Sequence, residues 1–145
     1  MRNVEKLEVR VSVGKRELKG VVLQEGRAAS GGRLELFAPG ACTWPVAGIE
    51  LRERHGGRIM ATVEPERDRR GRIVFRTRAT AEMRERVRQA SGLSAEFYCL
   101  SDETMPGGVR EIRSALLRGA AFTDNPEYEQ AQAEIRNKHR RERRW

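Results

Sequence analysis

An apolar alternation of period two, repeated in short runs, constrains this chain more than any other feature. Leu7, Val9, Val11 and Val13 alternate with charged or polar neighbours, the pattern of a strand with one buried face. Lys15-Arg16 turn the chain into a second run holding Leu18 and Val22. Ala29 to Gly32 read as a loop, and Leu34 to Phe37 as a short strand that Pro39-Gly40 breaks. Ile49 and Leu51 alternate again, as do Ile59, Ala61 and Val63, and then Ile73, Phe75 and Thr77. Glu64 to Gly71, between the last two runs, is polar enough to be a hairpin loop. Leu93 to Leu100 and Val109 to Phe122 supply the remaining strands, on either side of a polar loop through Pro106-Gly107-Gly108. Seven or eight short strands without a βαβ rhythm predict a mainly β fold with peripheral helices, a mostly antiparallel closed sheet or barrel.

Two helices are expected beside the strands. Thr80 can cap a helix running to Ala90, and Glu82 lies in its first turn, where the helix dipole favours an acid. Met83, Val87 and Ala90 fall at i, i+4 and i+7 and make one apolar stripe, and Ser91-Gly92 ends the segment. Glu127 to Arg144 reads as a second helix with a weakly apolar face.

At 145 residues the chain is long enough for one domain with a sizeable core. Charged residues make up 34%, above the usual quarter, while the 38% of apolar residues is ordinary once glycine is added. The net charge of +8 therefore reflects surplus arginine on a normal core, not disorder. No apolar run approaches the ~20 residues of a membrane span, and the N-terminus lacks the apolar stretch of a secretory signal. The expectation is a soluble intracellular protein. Cys42 and Cys99 lack metal-ligand spacing and read as reduced core thiols rather than a disulfide.

His55 is the only histidine before the basic C-terminal stretch, and Ser94 stands at a glycine-hinged entry to a strand. A serine is inert at neutral pH until a base takes its proton, and an imidazole with a pKa near ~6.5 suits that task. If the strand of Ile49 and Leu51 continues, His55 falls on the same face as both. The plainer readings are a turn histidine before Gly56-Gly57 and a serine that merely caps a strand entry.

The surrounding residues resemble the prohead proteases of tailed bacteriophages over most of the chain. Leu18-Lys19-Gly20-Val21-Val22 and Gly26-Arg27-Ala28-Ala29 look like the family's first strand and turn. Phe37-Ala38-Pro39-Gly40-Ala41 matches its F-x-P-G-A/S signature, the most specific short motif here. His55 stands where the family places its catalytic histidine, and Gly92-Leu93-Ser94-Ala95-Glu96-Phe97 resembles the G-L-S-x-G/E-F box that carries the nucleophile. Gly107 to Ile112, followed by Ala120 to Tyr128, look like the last strand pair and the closing motif. The resemblance implies a fold like that of the herpesvirus assembly proteases, with a prohead-protease-like domain over 1–126 and a basic helix or tail over 127–145.

It also implies a serine endopeptidase with His55 as base and Ser94 as nucleophile, needing no metal or organic cofactor. The implied substrates are scaffold segments, the major capsid protein and the chain itself, inside an assembling procapsid in the host cytoplasm. A homodimer is expected by analogy. Two positions depart from the pattern: Gly56 replaces an acid that often follows the histidine, and Gly119 replaces a glutamate of a W-E-V-S stretch that supports it. Glu111 and Asp124 are then candidates for the third member, the alternatives being a dyad or an inactive capsid-assembly module. Arg110 and Arg113 lie in the part of the chain where an oxyanion-binding arginine would sit, and Ser91, Ser101 and His139 should be dispensable. A third reading is a nucleic-acid-binding protein, resting on the net charge and on Arg136 to Arg144. Only the terminal Trp145 could stack there, which argues against a single-strand platform.

Overall fold

The computed structural model describes residues 16–27, 35–90, 92–123 and 133–137. The strand expected over 7–13, the loop at 29–32, Ser91, Asp124, His139 and the basic stretch after Asn137 lie outside these residues. Within them the chain forms ten strands and one helix: β1 (Arg16–Gln24), β2 (Glu35–Phe37), β3 (Cys42–Thr43), β4 (Ile49–Arg52), β5 (Ile59–Val63), β6 (Glu66–Arg67), β7 (Arg72–Arg78), α1 (Ala81–Gln89), β8 (Gly92–Thr104), β9 (Arg110–Thr123) and β10 (Ala133–Asn137).

The mainly β expectation holds, and the closed barrel does not. Pairing gives two sheets among the described residues, one in the order β10-β1-β7-β6 and one in the order β2-β9-β4-β5, with β3 and β8 also on β9. The reason lies in β9, the long central strand. Along one of its edges run β2, β3 and β4 in turn, all parallel to it, because Pro39-Gly40 and Pro45 to Gly48 break one extended path into three. Its other edge is taken by β8, antiparallel over Gly92 to Thr104. The helix expected from Glu127 onward is also corrected. Ala133–Asn137 is a strand that pairs antiparallel with β1, Ile135 opposite Leu18, so backbone pairing overrides a weak helical period.

The core lies between the sheets. Leu18, Leu23, Ile73 and Phe75 meet Phe37, Ile49, Leu51, Leu93, Ile112, Leu117 and Phe122, all essentially inaccessible to solvent. α1 seals one side with Met83 and Val87, and its start is set as the sequence predicts: the Thr80 side chain accepts from Met83 N at 3.1 Å. Cys42 and Cys99 are free thiols facing Ala115 from opposite edges of β9. Two strand spacings of ~4.8 Å put them about 10 Å apart, too far for a bridge. Burial, with the charge of Glu25 adding to it, pushes the Cys42 thiol up to about 12, which keeps it inert.

The Phe37-Ala38-Pro39-Gly40-Ala41 motif has a structural task. The turn it makes aims the Gly40 and Cys42 N–H groups at the Glu25 carboxylate, each at 2.9 Å. Arg67 closes the other side with Nε at 2.8 Å and Nη2 at 2.9 Å, while its guanidinium stacks 5.5 Å from the Trp44 ring centroid. Burial alone would push the Glu25 carboxyl up. The hydrogen bonds from Arg67, Cys42 and Gly40 outweigh it and hold the group below the ordinary carboxylate range. A depressed folded pKa stabilises the fold above the ordinary carboxylate value and loses that contribution as pH falls through the depressed one. Glu25→Gln should therefore cost about 2–4 kcal/mol at neutral pH, because it leaves Arg67 and two N–H groups poorly matched. The gap between wild type and variant, read from urea midpoints, should narrow below about pH 4. An equal gap at pH 7 and pH 3 would contradict this assignment.

Candidate active site

β4 stops at Arg52, and the chain reverses through Glu53 to Gly57. Glu53 N donates to Arg58 O at 3.0 Å and Gly57 N donates to Arg54 O at 2.9 Å, which closes a tight turn. Gly56 takes φ +73 there, a left-handed conformation in which a side chain is strained. The missing acid after the histidine thus has a backbone cause. His55 does not extend the buried face of β4 as expected. The strand ends three residues earlier, and the imidazole projects from the turn with about half of its side-chain surface (53%) exposed.

From that turn His55 reaches a carboxylate. Its Nδ1 lies 2.8 Å from Oε2 of Glu96 on β8. A carboxylate at Nδ1 holds the proton on that nitrogen and leaves Nε2 with a lone pair, the tautomer a general base needs. The other oxygen of Glu96 lies 3.6 Å from Arg52 Nε. Arg52 also donates through Nη2 to Glu50 Oε1 and through Nη1 to Gly57 O, both at 2.8 Å. One guanidinium therefore sits between two carboxylates and pins the turn that carries His55.

Ser94 lies two residues before Glu96 on the same strand, so the pleat sends both side chains to one face, about 7 Å apart. Register across the sheet aligns Ser94 with Ala121 and Arg52, and Glu96 with Gly119 and Glu50. Both Ser94 and Glu96 are half-buried. Contact joins His55 to Glu96; Ser94 is brought near by register, without a direct hydrogen bond to His55. Serine–base hydrogen bonds are often open before substrate arrives.

Gly119 makes the arrangement possible. A Cβ there would lie 2.6 Å from the carbonyl oxygen of Glu50 and 2.9 Å from Oε1 of Glu96. The carboxylate of Glu96 occupies the space over β9 that the missing side chain leaves. In comparisons with protein-family models, curated proteins and solved structures, nothing matches this chain. The site thus rests on its own geometry.

The other residues singled out from sequence are placed elsewhere. Glu111 lies eight residues before Gly119 on β9, roughly 26 Å along the strand, and is held by Arg113 at 2.9 Å. It does not reach His55. Arg113 also pairs with Glu103, and Arg110 is clamped by Asp102 at 2.6 Å and Glu35 at 2.7 Å, at the same far end. Neither contributes to the surroundings of Ser94. Ser101, exposed on β8, is seven residues from Ser94 and faces Ser114. Asp124 and Ser91 fall outside the described residues. Among the described residues no group of three or more His, Cys, Asp or Glu side chains is arranged to hold a metal ion. No described helix is long and apolar enough to cross a membrane.

Glu96 is the residue that sequence reasoning missed. The signal was present as the i, i+2 spacing from Ser94 on a strand. The resemblance points to β9 for a supporting carboxylate, whereas Glu96 stands on β8, the strand that pairs with it.

Proposed function

We propose that this chain is a serine endopeptidase of the prohead-protease type, related in fold to the herpesvirus assembly proteases. The observation that carries the reading is the Glu96 carboxylate on Nδ1 of His55, one pleat repeat from Ser94. In the reaction His55 Nε2 takes the Ser94 hydroxyl proton as Oγ attacks a peptide carbonyl carbon. The tetrahedral adduct collapses with cleavage of the C–N bond, and the imidazolium gives its proton to the leaving amine. Water, activated by the same imidazole, then releases the acyl group. Glu96 orients the ring and stabilises its cation; Arg52 and Gly119 keep Glu96 in place.

The substrates are scaffold segments, the major capsid protein and the chain itself, cut inside an assembling procapsid, with a homodimer as the expected assembly. The reading as an inactive assembly module rests on Gly56 and Gly119, and each has a local reason that leaves the His55–carboxylate pair intact. The nucleic-acid reading is weakened by pairing: Arg52, Arg58, Arg67, Arg72, Arg88, Arg110 and Arg113 all hold carboxylates. Co-expression with the capsid and scaffold proteins tests the proposal. New N-termini should form on the capsid protein with the wild-type chain and with Ser101→Ala, and should be missing with Ser94→Ala. Full processing by Ser94→Ala would overturn it.

A further inference from the structure

One cation on the face of the site stands apart from the rest. β8 and β9 slip register between Glu96 and Phe97, so that Glu96 pairs with Gly119 but Phe97 pairs with Leu117. Arg118 is the extra residue. The bulge keeps Leu117 fully buried in the core, where Phe97 also packs, and turns Arg118 out to solvent beside Gly119. Bulges beside active sites commonly re-aim one side chain in this way. The guanidinium of Arg118 lies 5.5 Å from the ring centroid of Tyr98, itself 57% exposed. Among the described residues no carboxylate pairs with it, whereas Arg52, Arg54 and Arg58 around the His55 turn all do. A guanidinium stacked on a ring is restrained in orientation while its N–H donors stay available.

We infer that Arg118, steadied by Tyr98, selects substrate segments carrying an acidic side chain a few residues from the scissile bond. The inference rests on the peptidase reading above. Tyr98 lies four residues from Ser94 on β8 and, like Glu96, on the same face, about 13 Å away. A peptide lying extended along that face with its scissile carbonyl at Ser94 brings a residue about four positions away beside the Tyr98–Arg118 pair. A glutamate or aspartate there accepts charge-assisted hydrogen bonds from the guanidinium. The net charge of +8 favours the approach of the same acidic segments.

The test uses the full chain and paired synthetic peptides from a capsid-protein cleavage site, in which a single glutamate or glutamine is walked outward from the cut. Wild type should prefer glutamate over glutamine at one position about three to five residues from the cut, by about fivefold or more in kcat/KM. Arg118→Gln should bring that ratio close to one, and Arg118→Glu should reverse it in favour of glutamine. A ratio is unaffected by the fraction of a variant that folds. Cleavage with no acidic preference, or a preference that survives Arg118→Gln, overturns the inference and leaves the peptidase reading standing. No cleavage of any peptide, together with no labelling of Ser94 by a fluorophosphonate, overturns both.

Discussion

His55→Ala is expected to slow peptide hydrolysis by on the order of 10⁴ to 10⁶, and Ser94→Ala should cost about as much. The double variant should be no worse than either single one, since a nucleophile without its base is as idle as a base without its nucleophile. Glu96→Gln should cost less, about 10² to 10⁴, because the amide keeps the shape but can donate to Nδ1 and hold the wrong tautomer. Glu111→Gln should match wild type, its place being at the other end of β9. Rates measured on purified protein with a cleavable capsid-derived peptide check all of these. An undiminished rate in His55→Ala would reduce it to a turn histidine, and a normal rate in Glu96→Gln would leave Ser94 and His55 as a dyad.

Gly119→Glu, which introduces the glutamate that the prohead-protease resemblance implies at that position, should fail to fold and not gain activity. The Cβ of any larger residue meets the Glu50 carbonyl at 2.6 Å, and that carbonyl belongs to the backbone of the paired strand. Gly119→Ala alone should cost about 3 kcal/mol, because neither strand can retreat without losing its ladder. In a chain of this length that lowers the melting temperature by roughly 10 °C. Removing the second obstruction should not restore stability: Gly119→Ala combined with Glu96→Ala still faces the Glu50 oxygen. Thermal unfolding of the two variants beside wild type decides it. A Gly119→Ala protein as stable as wild type would show that β4 can move away from β9.

Much of this fold is legible in the sequence. Period-two alternation marks β1, β4, β5, β7 and β8, and Thr80 with Met83 and Val87 marks α1 and its cap. The sequence is less informative where tertiary pairing decides. Nothing local in Ala133 to Asn137 marks it as a strand; the pairing appears only when β1 offers an edge. The stepwise run of β2, β3 and β4 along β9 depends on where two proline-containing turns place three very short strands. A closed barrel, inferred from strand number alone, does not follow from those turns. In the candidate site, motif positions propose His55 and Ser94; Glu96 stands in the same motif, but its place beside His55 is not legible there. Finding it needs the register of β8 on β9, which places Glu96 opposite the one residue small enough to let its carboxylate cross. Gly119 reads as a loss in sequence and as the space for that carboxylate in the structure.

Labelling by a fluorophosphonate, followed by mass mapping of the adduct, tests the central claim most directly. The reagent forms a stable bond only with a serine whose hydroxyl is activated by a neighbouring base. One adduct should form, on Ser94, and its rate should fall sharply in His55→Ala and less so in Glu96→Gln. No adduct, or an adduct on Ser91 or Ser101 that forms equally fast without His55, would contradict the account.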